Sequence, residues 1–158
     1  MSATLGPDPP LWERYTQARG RVHLTGVQAL VRLTLDQLRR DARAGRRTGA
    51  FFSGYPGSPL AGLDTLLRSL APLLARSDVR LVPGLNEELA ASAVAGTQLV
   101  ENFPHARYDG VLGFWFGKAP GLDRALDALR HANFVGTGRH GGAQQPGADR
   151  VLVEGLQP

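Results

Sequence analysis

The sequence predicts an α/β protein: a parallel sheet flanked by helices. Three observations point there. Amphipathic helical segments alternate with short apolar runs in the order helix–strand–helix–strand–helix–strand–helix. Gly and Pro, 20 and 11 residues, fall mostly between those segments. The apolar run Ala50-Phe51-Phe52 stops in Ser53-Gly54-Tyr55-Pro56-Gly57-Ser58-Pro59 and restarts as a leucine-rich helix, which puts that loop at the carboxyl end of a sheet, where ligands of open α/β sheets bind.

Taken in order, residues 1–22 lack periodicity, and Pro7, Pro9 and Pro10 predict an extended arm that Trp12 and Tyr15 dock on the domain. Thr25 caps a helix from about Gly26 to Ala44. Its apolar face is Val27, Leu30, Val31, Thr34, Leu35 and Leu38, and Gly45 ends it. Ala50–Ser53 reads as a short buried strand. Ser58 suits an N-cap and Pro59 a first helical residue, after which Leu60, Leu63, Leu67, Leu70 and Leu74 recur at helical spacing, with Pro72 kinking or ending the helix. Val79–Val82 is a second strand. Asn86 caps a further helix to about Glu101, with Glu87 and Glu88 in its first turn, Leu89, Ala93, Thr97 and Val100 on one face and many small residues along it. Asp109–Gly117 is the most apolar strand, Leu122 to Phe134 a last helix, and Val151-Leu152-Val153 the only later strand-like piece. The expected organisation is an arm at 1–22, an α/β domain at 23–142 and an irregular tail at 143–158.

Composition narrows the chemistry. Hydrophobic residues make up 42% of 158 residues, enough for one core. Without cysteine there is no disulfide, thiolate metal site, cysteine-bound iron–sulfur cluster or thiol nucleophile in this chain. No apolar stretch reaches the roughly 18 residues of a membrane span, and no signal-type segment opens the chain, so a cytoplasmic location without membrane association is expected. The net charge is +4, almost all of it from arginine, with Lys118 the single lysine. Arg39, Arg40, Arg43, Arg46 and Arg47 crowd one stretch. They read as a solvated helix end rather than a nucleic-acid patch, because no aromatic residue interleaves them. The four histidines show no metal-ligand spacing, and no P-loop, dinucleotide fingerprint or nucleophile elbow is present.

Two features remain. In the Tyr55–Pro59 loop, Gly57 permits close backbone approach, and Ser58 offers a hydroxyl and an amide at a helix start, suited to a carboxylate or phosphate. In Asn86-Glu87-Glu88 a carboxylate sits at a helix N-terminus. Taken singly, each is explained by ordinary turn and cap chemistry without a ligand, and spacing and residue chemistry alone favour that reading. Their order and separation, Tyr-Pro-Gly-Ser-Pro, helix, strand, then Asn-Glu before a small-residue helix, resemble the pyrimidine-binding domain of thiamine-diphosphate-dependent 2-oxoacid:ferredoxin oxidoreductases, closest to the indolepyruvate branch. Glu13-Arg14-Tyr15-Thr16, Leu24-Thr25-Gly26-Val27-Gln28, Tyr108-Asp109-Gly110-Val111, Trp115-Phe116-Gly117-Lys118-Ala119-Pro120-Gly121 and His140-Gly141-Gly142 extend the resemblance over about residues 12–142.

The resemblance implies a thiamine-diphosphate fold of the pyrimidine-binding type. It implies that Glu87, with the small Gly96 nine positions on, contacts the aminopyrimidine ring nitrogen. It places Gly57 beside the cofactor and Tyr55, Ser58, Lys118 and Arg124 near the substrate. The implied reaction is oxidative decarboxylation of an aryl 2-oxo acid with coenzyme A, giving an acyl thioester, carbon dioxide and reduced ferredoxin. The family also needs a diphosphate-binding domain with Mg2+ ligands, and cysteines for iron–sulfur clusters; neither set is in this sequence, so a partner domain or subunit in a dimeric assembly, together with ferredoxin and coenzyme A, is expected. After Gly142 the sequence leaves the family pattern, which reads as C-terminal truncation. The alternatives are a non-catalytic remnant and an unrelated nucleotide-binding α/β domain.

Overall fold

The computed structural model describes residues 9–56, 60, 62–146 and 151–154, with the backbone alone for 9–11, 144–146 and 151–154. The elements are α1 (Pro9–Thr16), α2 (Gly26–Arg43), β1 (Thr48–Gly54), α3 (Leu63–Ser69), α4 (Ala71–Arg76), β2 (Val79–Leu81), α5 (Glu87–Thr97), β3 (Gly110–Phe116), α6 (Ala119–Val135), β4 (Gly142–Pro146) and β5 (Val151–Glu154). The sheet order is β2-β1-β3-β4-β5; the first four strands are parallel and β5 is antiparallel to β4.

The central pair is β1 and β3, in register from Thr48 opposite Gly110 to Gly54 opposite Phe116. Alternation along both strands divides their side chains between two faces. Ala50, Phe52, Phe114 and Phe116 join Val31, Leu35 and Leu38 of α2, Leu63 and Leu67 of α3 and Leu74 of α4. The Phe52 and Phe114 rings stack at 4.3 Å between centroids and 6° between planes. On the other face Phe51 and Trp115 meet Ala90, Ala91 and Val94 of α5 and Ala125 and Leu129 of α6. Helices therefore cover both faces of the parallel sheet.

Several expectations hold residue by residue. Thr25 accepts from the Gln28 amide, and the Gln28 side chain accepts from the Thr25 amide, a full capping box. All five leucines at 60, 63, 67, 70 and 74 are buried. Other expectations are corrected. Helix α3 begins at Leu63, behind a left-handed Gly62 (φ 78°); Ser58 and Pro59, read as N-cap and first helical residue, lie outside the described residues. The helical run breaks at Leu70 so that Pro72 lies in the first turn of α4. A proline there has no amide to leave unpaired within the helix. The same tolerance lets Pro9 and Pro10 open α1, so residues 9–16 are helical and not an extended arm. The buried side of α5 is Glu87, Ala90, Ala91 and Val94, while Leu89 and Ala93, which share the stripe suggested by the apolar spacing, face outward. The stretch read as an irregular tail contributes β4 and β5, the latter at the strand-like Val151–Val153.

Helix α1 docks as Tyr15 and Trp12 suggested. Tyr15 is fully buried in the core. Its helix is clamped by two arginines of α2: Arg32 donates to the carbonyls of Arg14 and Gln17, and Arg39 donates to the carbonyl of Tyr15 at 3.1 Å. Asp36 holds both guanidiniums. Partial burial pushes its carboxyl pKa up, but the hydrogen bonds and charges of Arg32 and Arg39 outweigh that and leave it below the ordinary 3.8. A lowered folded-state pKa adds stability above the unfolded value that is lost as the pH falls through the folded one. Acidification below about pH 4 should therefore loosen α1 before the sheet unfolds, and Asp36→Asn should loosen it at neutral pH. Hydrogen exchange of the 9–17 amides against those of β1 and β3 measures this; equal protection of α1 in the wild-type chain and the variant would count against the clamp.

Candidate functional site at the carboxyl ends of the strands

The connections leaving β1 and β3 diverge. From β1 the chain runs through α3 and α4 on one face to β2; from β3 it runs through α6 on the other face to β4. Adjacent strands whose connections part in this way make the crevice of a topological switch point. Tyr55 leaves β1 there, and Lys118 follows β3 by two residues, at the N-cap of α6.

Short hydrogen bonds fix the strand ends. The Ser53 hydroxyl, on a fully enclosed side chain, donates to the Val82 carbonyl at 2.7 Å, the Val82 amide donates to Phe52 at 2.9 Å, and the Gly84 amide donates to Gly54 at 3.0 Å. Together they carry the chain from β2 past the end of β1 into α5. Gly54 permits this closeness: a Cβ there would lie 2.4 Å from the Phe116 carbonyl oxygen and 2.6 Å from its ring. The junction is closed: Gly54, Pro56, Pro83 and Phe116 come together there, with Asp64 and Arg68 beside them, and leave no room for a water molecule between them.

Asn86 caps α5 by accepting from the Leu89 amide at 2.8 Å. Glu87, the first helical residue, is 8% exposed, and its carbonyl accepts from the Trp115 indole at 3.0 Å. Trp115 is itself buried, so the start of α5 is bolted to the end of β3. Among the described residues no hydrogen bond or ion pair holds the Glu87 carboxylate. A carboxylate in that position gains from the helix dipole but lacks a partner of its own.

The structure thus brings Tyr55, Glu87 and Lys118 to one end of the sheet. Tyr55 is 37% exposed. The Lys118 side chain already has an interaction within the chain. Arg124 lies exposed on the second turn of α6. Gly57 and Ser58 lie outside the described residues. Sequence reasoning missed Ser53 and Trp115, whose partners are 29 and 28 positions away in the chain and left no local signal. Asp64 and Arg68 were also missed; they read as an ordinary polar face of a leucine-rich helix.

Among the described residues no group of three or more His, Cys, Asp or Glu is arranged to hold a metal ion, and no helix is long and apolar enough to cross a membrane. Comparison with protein-family models, curated proteins and solved structures finds no match.

Trp115→Phe removes the indole donor and strands the Glu87 carbonyl, at an expected cost of about 1–3 kcal/mol. Gly54→Ala overpacks the junction and should cost about 1–3 kcal/mol as well. Denaturant unfolding measures both; values near zero would show that the strand ends are looser than this geometry requires.

Proposed function

We propose that this chain is the pyrimidine-binding module of a thiamine-diphosphate-dependent 2-oxoacid:ferredoxin oxidoreductase of the indolepyruvate type, working in a dimeric assembly with a partner that carries the diphosphate-binding half and the redox centres. The observation that supports it most is Glu87. The residue is 8% exposed, its carboxylate has no partner among the described residues, and it starts a helix beside the β1–β3 switch point. A ring nitrogen able to share a proton would give that carboxylate a hydrogen-bonding partner.

The residues present fit one half of the cofactor. Glu87 would hold the aminopyrimidine side, and its carboxyl oxygen would keep a proton at the ring nitrogen. When bound, the cofactor supplies the electron sink for decarboxylation. Tyr55 supplies a wall for an aryl substrate, and Gly57 and Ser58 belong by sequence to the same loop. Lys118 and Arg124 supply cations for the 2-oxo acid's carboxylate. The ligands for Mg2+ and the diphosphate are assigned to the partner, as are the iron–sulfur cysteines; ferredoxin and coenzyme A are the co-reactants.

A partner surface also suits α5. Its outward positions carry Leu89, Ala93 and Gly96 beside Glu88 and Ser92, flanked by Leu85 at 86% and Leu99 at 40% exposure. Exposed leucines grouped with small residues on one helix suit an interface.

Calorimetric titration of thiamine diphosphate with Mg2+ tests the proposal, with the chain alone and with the diphosphate-binding subunit of an indolepyruvate ferredoxin oxidoreductase. Binding heat is expected only with the partner, weakened about tenfold or more in Glu87→Gln. The chain alone should not decarboxylate indolepyruvate. Turnover by the isolated chain, or undiminished binding in Glu87→Gln, would falsify the assignment.

A further inference from the structure

The arginines read from the sequence as a solvated helix end converge in three dimensions. Arg39 from α2, Arg46 and Arg47 from the turn into β1, and Arg76 from the end of α4 line a single groove of about 490 Å³ at the amino ends of β1 and β2, the end of the sheet opposite Glu87. Exposed Ala42 and the aliphatic stems of the arginines line the same groove over the buried Leu35 and Leu38, giving it apolar surface between the cations. Its volume is that of a small-molecule site rather than of a flat macromolecular contact.

The charges are unevenly matched. Arg39 pairs with Asp36, and Arg46 pairs with the buried Asp41 at 3.0 Å. Asp78, the carboxylate in the groove wall, accepts from the Tyr108 hydroxyl at 2.8 Å and pairs with Arg107 at 3.4 Å. Among the described residues no ion pair engages Arg47 or Arg76. Arg47 is also held in place: its guanidinium lies 5.6 Å from the Tyr108 ring centroid, and its amide donates to Asp109 at 2.7 Å. A stacked guanidinium keeps its fork of donors free at the edge for an anion.

We propose that this groove is a binding site for a phosphate-bearing small molecule with an apolar or aromatic body, its phosphate engaged by Arg47 and Arg76 and its body laid against Ala42 and the arginine stems. Two unmatched guanidiniums favour a dianion over a monoanion, since each adds a charge-assisted hydrogen bond and the partial enclosure of the groove lowers screening. The site is independent of the chemistry assigned to Glu87.

The test titrates the full chain with 4-nitrophenyl phosphate and with inorganic phosphate at moderate salt. Saturable binding is expected, tighter for the aryl ester, and weakened about tenfold by Arg76→Ala or Arg47→Ala. Arg130→Ala, on exposed α6, is the control for general charge and should leave binding unchanged. Arg76 has no ion pair among the described residues, and a thermal melt checks that its variant stays folded; Arg76→Gln repeats the measurement with the stem retained. Absence of saturation, equal weakening by Arg130→Ala, or an oligothymidylate that binds this groove without being displaced by the aryl phosphate overturns the proposal.

Discussion

The parallel pairing of β1 with β3 is the constraint on which the rest of the molecule depends. Seven residue pairs in register set the Phe52 ring on Phe114 and bring Gly54 against Phe116. A slip of one residue would exchange the two faces of either strand, moving phenylalanines from the α2–α3 core to the α5–α6 side. The small residues of α5 match that side: Ala90 and Ala91 let the helix lie close to the sheet, and Gly113 leaves room for the Val94 side chain, which a Cβ there would meet at 2.7 Å. The large side chains of one layer and the small ones of the other are two halves of the same packing solution.

That pairing also gives the two ends of the sheet different chemistry. At the carboxyl ends, strand geometry and the Ser53–Val82 and Trp115–Glu87 bonds gather a glutamate, a tyrosine and a lysine around a tight junction. At the amino ends, buried Asp41 accepts from Gln37, Arg46 and Thr48, which locks the turn at Gly45 (φ 76°) and aims the arginines of that turn toward the end of α4. One end is a closed, mostly apolar junction with Glu87 in its neighbourhood; the other is an arginine-lined groove.

Helix existence was legible in the chain wherever amphipathic spacing was strong. The α2 face and the buried Leu63, Leu67 and Leu74 of α3 and α4 came directly from 3.6-residue periodicity, because burial of one face is what holds those helices. Boundaries near proline were less legible, since proline both ends a helix and starts one: Pro9, Pro72 and Pro120 all sit in first turns. The inner face of α5 was unreadable for a different reason. With alanine and glycine around most of its circumference, apolar spacing carries no direction, and closeness to the sheet rather than hydrophobicity chose the side. Glu87 was legible as a helix start, but the bond from the Trp115 indole to its carbonyl was not.

By itself, then, the sequence determined the α/β class, the succession of elements from α2 to α6, the strand-like Val151–Val153 of β5 and the capping chemistry of Thr25 and Asn86. These follow from interactions within a few residues of one another, which spacing and residue type encode directly. The tertiary structure alone decided the strand order, the side of α5 that is buried, the addition of β4, the tether between Trp115 and Glu87, and the gathering of Arg47 and Arg76 across one groove. Each of those joins groups about thirty residues apart or depends on how two surfaces fit, and no local pattern records which distant partner a side chain will meet.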